Sequence, residues 1–153
     1  MMDLCSLYYE FLGGILTYPM FDAPFLATSV RDFWGKRWNL PVAHYFKEFV
    51  FGRLRGCGMS GLWAALLVFL VSGVAHEVFM MFVGDVAYKG WAMGFFLVHG
   101  VLCVVESFIP GEIKEVVPRG VSIVLCQAIM VITCPLFCMP LHNIYSPIFN
   151  IRH

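Results

Sequence analysis

A long apolar run from Leu62 to Gly84 constrains this 153-residue chain more than any other feature. A helix needs about 20 apolar residues to cross about 30 Å of hydrocarbon, and the run supplies that length without a proline. Near its middle stand His76 and Glu77. Ionisable groups at that depth are costly to hold and are kept where they serve a purpose. The pair therefore marks a candidate site inside the membrane zone.

Composition agrees with a membrane chain. Hydrophobic residues make up 60% and charged residues 13%, where soluble domains carry roughly 25% charge. A formal net charge of zero leaves no basic surface for nucleic acid, so the lipid bilayer is the expected partner. Four apolar segments stand out: Leu4 to Met20, Leu62 to Gly84, Tyr88 to Ile109 and Val121 to Leu141. The last three read as spanning helices. The first is shorter and carries Glu10 beside Gly13 and Gly14, and it stays open between a truncated, a tilted and a re-entrant piece. The expected fold class is all-α, a multi-pass transmembrane helical protein with an interfacial amphipathic helix.

The six cysteines form no CxxC pair, which argues against a disulfide framework. His76 and Glu77 begin like a zinc-binding HExxH helix, but Met80 stands where the second histidine belongs. No metal is expected, and Cys134 and Cys138, flanking Pro135, read as buried thiols. The N-terminus lacks the basic start and small-residue cleavage site of a secretory signal.

The most polar region lies between the first two segments and holds Arg31, Lys36, Arg37, Lys47, Arg53 and Arg55 against Asp22, Asp32 and Glu48. Its basic excess places it on the cytosolic side, with the Asp85 to Lys89 turn opposite and Pro110 to Gly120 back in the cytosol. Thr28 or Ser29 followed by Asp32 resembles a helix start, with Gly35 as the limit of a short piece. From Pro41 to Arg55 the spacing predicts a helix with Val42, Tyr45, Phe46, Phe49, Val50 and Leu54 on one face and His44, Lys47, Glu48 and Arg55 on another. Such a helix lies flat in the interface. Phe33, Trp34 and Trp38 are residues that settle at headgroup level. In the third segment Gly90 and Gly94 read as a small-residue packing pair, and His99 and Glu106 as one polar stripe that serves packing.

Two stretches carry a wider resemblance: Asp32-Phe33-Trp34-Gly35-Lys36-Arg37-Trp38-Asn39, preceded by Pro24 to Ser29, and Ser72-Gly73-Val74-Ala75-His76-Glu77 in the following span. Together they resemble the membrane-bound O-acyltransferase family, and the first looks most like the wax synthase branch, whose members esterify fatty alcohols with acyl-CoA. The resemblance covers most of the chain and is strongest from about Leu16 to Met81. Members of that family are usually much longer, so residues 1–153 are expected to form the C-terminal portion of such a domain. Trp38-Asn39-Leu40-Pro41-Val42 is followed by Ala43 where the sterol and diacylglycerol branches carry a histidine. His44 comes one place later, turned by about 100° on a helix, and receives no role.

Acyl transfer to an alcohol requires a base for the hydroxyl proton, and neutral imidazole suits that transfer near pH 7. The resemblance implies His76 as that base and Asn39 as the polar partner of the hydroxyl or of the developing oxyanion. Trp34, Arg37, Trp38, Ser72 and Glu77 are the candidate substrate-binding residues, Arg37 being suited to phosphate. Each has a plainer reading. His76 can bond a neighbouring helix, Asn39 can cap the Pro41 helix, and Arg37 with Lys36 can anchor to headgroups. The Ser72 hydroxyl can reach either the imidazole or a backbone carbonyl. Glu77 projects about 100° from His76 and pairs with a neighbouring span. The implied function is transfer of a fatty acyl group from acyl-CoA to a long-chain alcohol, giving a wax ester, with a sterol or other lipid alcohol as alternative acceptor. A non-catalytic membrane fragment and a transporter-like bundle using His76, Glu77 and Glu106 are the rivals. No cofactor is implied beyond acyl-CoA as co-substrate. The endoplasmic reticulum is the expected address, and a homo-oligomer is admitted.

Overall fold

The computed structural model describes residues 19–84 and 90–149, with side chains up to residue 82 and from 90 to 138. Most of the Leu4 to Met20 segment and the Asp85 to Lys89 turn lie outside the described residues. Among the described residues every regular element is helical. Helix α1 (Val30–Asp32) begins at Ser29, whose hydroxyl accepts from the Asp32 amide at 3.0 Å, while the Asp32 carboxylate accepts from the Thr28 amide at 3.2 Å. That is the start expected from Thr28, Ser29 and Asp32. Gly35, however, does not end the piece. The helix widens into a π-turn over Phe33–Arg37, closed by Trp38 N–H donating to the Phe33 carbonyl at 2.9 Å.

The next helical run follows the same plan: α2 (Leu40–Tyr45), a π-turn (Phe46–Phe51) and α3 (Gly52–Gly56). A single α-helix was expected here. Gly52 supplies the reason for the difference: its amide donates to the Lys47 carbonyl, and a Cβ on it would lie 3.2 Å from that oxygen. A bare Cα lets the wider turn form. Val42, Tyr45, Phe46, Phe49 and Val50 nevertheless line one open apolar depression, so the predicted face exists.

Three longer helices build the bundle: α4 (Gly61–Gly84), α5 (Trp91–Ser107) and, after the short α6 (Gly111–Val116), α7 (Arg119–Phe149). Their mutual contacts centre on α5, which lies most extensively against α4 and next against α7. Among the described residues two helical stretches are long and apolar enough to cross a membrane, Gly61–Phe82 and Arg119–Cys138. The third expected span is shorter: the 17 residues of α5 rise only about 25 Å, less than the hydrocarbon thickness of about 30 Å.

The small-residue contact between α4 and α5 is made by other glycines than expected. A Cβ on Gly94 would meet nothing within 4 Å, whereas one on Gly73 would lie 3.0 Å from Met93 Cα and one on Gly100 2.9 Å from Phe69 Cβ. Gly90 instead starts α5 in the left-handed region at φ 73°. Gly73→Ala is expected to destabilise the bundle by about 1–3 kcal/mol because the obstacle is backbone. Gly94→Ala should leave thermal unfolding unchanged or slightly improved, and melting curves of the two variants in detergent check the contrast.

Cys134 and Cys138 are exposed, not buried, with sulfurs 3.3 Å apart. They lie on the side of α7 turned away from the bundle, along with the exposed Val131 and Ile132. A helix this apolar, with Gln127 and Thr133 as its few polar groups near the middle, gives only a weak pattern from which its inward face can be read.

Candidate active site

Glu77 is buried on α4, and its carboxylate accepts from the amides of Gly90 at 2.8 Å, Ala92 at 3.0 Å and Met93 at 3.2 Å. These are first-turn donors of α5 that no carbonyl of their own helix can reach. A negative charge there also meets the positive end of the helix dipole. The expected partner on a neighbouring span is thus the backbone at the start of α5.

Glu106, near the other end of α5, repeats the arrangement. Its two oxygens accept from Val30 N at 2.7 Å and Arg31 N at 3.0 Å, the opening amides of α1. One carboxylate therefore fixes α5 to α4, and the other fixes the motif-bearing turn to α5.

His76 follows Ser72 by one helical turn, and its Nδ1 lies 2.8 Å from the Ser72 carbonyl oxygen. A carbonyl only accepts, so Nδ1 carries the hydrogen and the neutral ring keeps its lone pair on Nε2. Ser72 thus serves the imidazole through its backbone rather than its hydroxyl. No hydrogen bond to Nε2 is made among the described residues. The half-buried ring is flanked by Phe96, with centroids 4.5 Å apart, and Phe137 at 5.7 Å.

His99 is held alike, Nδ1–H donating to the Phe95 carbonyl at 2.8 Å, but it is fully buried and its Nε2 faces Thr133 Oγ1 at 3.2 Å. That contact ties α5 to α7. The packing role expected of His99 and Glu106 is what their partners show. Thr133 was not singled out from the sequence, because a lone threonine in an apolar run gives no signal of an interhelical bond.

The motif turn packs onto the same aromatic cluster. Trp34 contacts Phe96 at 5.5 Å, His99 at 5.6 Å, and Phe69 and Phe95 at 6.1 Å each. It therefore packs into the helical bundle. Phe33 is buried with Ala27 and Cys126, and Gln127 of α7 donates to the Pro24 carbonyl at 3.1 Å.

Trp38 stacks on Phe33 at 5.4 Å and meets Phe21 at 4.9 Å. Arg37 Nε donates to Asp32 Oδ2 at 2.6 Å, and its Nη1 to the carbonyls of Asp22 at 3.1 Å and Ala23 at 3.4 Å. The guanidinium so clasps the two strands of the turn that also pair through Asp22 N to Arg37 O and Leu40 N to Met20 O, both 2.9 Å.

Asn39 ends this clasp. Its backbone is left-handed at φ 46°, a region asparagine tolerates better than most residues, and its side chain makes no cap bond to α2. The capping reading therefore holds for its position alone. No hydrogen bond joins Asn39 to His76 among the described residues. The geometry brings Trp34 and His76 to one cluster through Phe96, and holds Asn39 half-buried at the end of the clasped turn.

Comparison with known proteins adds an independent view. A family model described as the membrane bound O-acyl transferase family matches residues 17–98. Acyl-CoA–sterol O-acyltransferase 1 of Arabidopsis thaliana is 33% identical over 133 residues, covering 82% of this chain and 39% of its own length. Long-chain-alcohol O-fatty-acyltransferase of Simmondsia chinensis is 34% identical over 134 residues, covering 78% and 37% respectively. Probable long-chain-alcohol O-fatty-acyltransferase 7 of Arabidopsis thaliana is 42% identical over 113 residues, covering 69% and 33%. The chain thus matches less than two-fifths of the length of each of these relatives.

Proposed function

Because the chain belongs to the membrane-bound O-acyl transferase family, we propose that it forms the His76-bearing part of an enzyme that moves a fatty acyl group from acyl-CoA to a long-chain alcohol. The observation that carries this reading is the fixed tautomer of His76. With Nδ1–H given to the Ser72 carbonyl, Nε2 is the basic atom beside the aromatic cluster. Nε2 takes the alcohol proton as the alcohol oxygen attacks the thioester carbon. The carbon–sulfur bond then breaks, and the imidazolium returns the proton to the departing thiolate. The Asn39 amide supplies a neutral polar contact to the hydroxyl or the oxyanion.

Several finer features belong to the same proposal. Residues 1–153 are the C-terminal portion of the acyltransferase domain, multi-pass in the membrane of the endoplasmic reticulum. The Leu40–Gly56 run lies in the interface with Val42, Tyr45 and Phe49 toward lipid, all three exposed on the described surface. Arg37, held by three partners, shapes the mouth of the site more than it binds phosphate. A sterol acceptor is the second reading, favoured by the similarity to a sterol acyltransferase across 82% of this chain.

Microsomes bearing the chain, given labelled palmitoyl-CoA with either hexadecanol or a sterol, decide between these acceptors. A labelled wax ester supports the first and a labelled sterol ester the second. No ester of either kind rejects acyl transfer by this chain. An Asn39 series adds resolution. Asn39→Gly and Asn39→Ala are both expected to lose about 10²-fold in rate with the amide. Only the alanine should also cost about 1 kcal/mol of stability, from its left-handed backbone. Full activity in Asn39→Gly would leave the residue a purely conformational role.

A further inference from the structure

Trp34 carries an anomaly that the functions described above do not use. Its Nε1 is shielded from solvent and has no hydrogen-bond partner among the described residues. A buried donor left unmet costs about 1–3 kcal/mol, and buried indoles usually find a partner. Phenylalanine would fill most of the same space without that cost. The turn that holds Trp34 is itself tightly determined, by the Ser29 cap, the Glu106 bonds to Val30 and Arg31, and the Asp32–Arg37 pair. The indole is thus fixed with its N–H unused, in a cluster that His76 also borders.

The two residues border one ring. Phe96 lies 5.5 Å from Trp34 and 4.5 Å from His76. Both are stationed by short-range bonds, and each retains one unengaged nitrogen of opposite character. His76 Nε2 is an acceptor, whereas the indole N–H is a donor only. A thioester and an alcohol in the course of reaction require one of each, because a proton leaves the hydroxyl while negative charge grows on the carbonyl oxygen. A donor placed on the hydroxyl oxygen would weaken the nucleophile. Placed on the carbonyl oxygen, it strengthens as charge develops there.

We propose that Trp34 is a further catalytic residue whose Nε1–H binds the acyl carbonyl oxygen, the incoming acyl group displacing the Phe96 ring that both Trp34 and His76 contact. This rests on the acyl-transfer reading given above. The proton balance is unchanged by it. The hydroxyl proton passes to His76 Nε2 and on to the thiolate, and the indole keeps its hydrogen throughout. Specificity follows as well, since a donor surrounded by Phe69, Phe95 and Phe96 favours a carbonyl attached to an apolar chain.

The test uses the whole 153-residue chain with ¹⁵N-labelled tryptophan in lipid nanodiscs. Trp34→Phe assigns the Trp34 indole resonance among the four tryptophans. Palmitoyl-CoA without acceptor is expected to move that resonance downfield, and the thioether analogue, which lacks the carbonyl oxygen, to leave it in place. Equal shifts with both ligands, or none with either, overturn the proposal and leave the N–H facing an aromatic ring. In turnover with hexadecanol, Trp34→Phe should lose about 10²-fold in kcat with little change in KM. An unchanged kcat in this variant also overturns it. Should palmitoyl-CoA alone shift the resonance while the unmodified chain makes no ester, the acyl-transfer reading falls and the carbonyl contact stands.

Discussion

His76→Ala is expected to lower ester formation by about 10²–10⁴-fold, the range associated with loss of a positioned general base. The expectation rests on one bond. Nδ1–H is committed to the Ser72 carbonyl at 2.8 Å, so the basic nitrogen of the neutral ring is Nε2. Stability should change far less, by about 1 kcal/mol for the bond plus the lost contact with Phe96. His76→Gln is the informative companion, since it keeps a polar side chain without a base. Steady-state rates with hexadecanol, alongside detergent melting curves, separate the two effects. Rates within a few fold of the parent in both variants would remove His76 from the chemistry.

Glu77→Ala should produce the largest loss of stability, about 3 kcal/mol or more. It strips the partner from the amides of Gly90, Ala92 and Met93, and a buried amide left unmet costs about 1–3 kcal/mol. Glu77→Gln keeps one acceptor oxygen but sets an NH2, which cannot accept, in place of the other, so it loses the charge at the helix start, worth about 1 kcal/mol, and part of the amide bonding. Its loss should therefore be smaller. Denaturation followed by circular dichroism measures both. If Glu77→Ala unfolds like the parent while its KM for acyl-CoA rises, the carboxylate contacts substrate and its bonds to α5 are incidental.

The helical class and the positions of the long apolar segments were legible because hydrocarbon thickness sets their length and composition. The start of α1 was legible for a local reason: Thr28, Ser29 and Asp32 satisfy one another within a single turn. His76 stood out by its place within an apolar run, but its role as base, and Asn39 altogether, came through the resemblance, since neither spacing nor composition distinguishes a base from a packing histidine. What stayed hidden depends on contacts distant in sequence. Glu106 reaches across to Val30, Thr133 reaches His99, and Gly100 receives Phe69. The π-turns are invisible to a 3.6-residue period over Phe46–Phe51 and to a reading of Gly35 as a helix limit in Phe33–Arg37, because in both one carbonyl skips to a later amide. Gly94 misled because a small-residue spacing says nothing about which helix faces it.

Helix α5 has a consequence that extends to the surrounding lipid. At about 25 Å it falls short of a hydrocarbon layer of about 30 Å, whereas the 31 residues of α7 beside it exceed that thickness. A helix that short is matched to a bilayer by thinning of the leaflet, by snorkelling of flanking residues or by association with other helices. Glu106 anchors the Ser29 to Asn39 turn near the C-terminal end of that helix. Thinning at that end of α5 would bring water nearest to the Ser29 to Asn39 turn, so the depth of this turn is coupled to the thickness of the lipid around it.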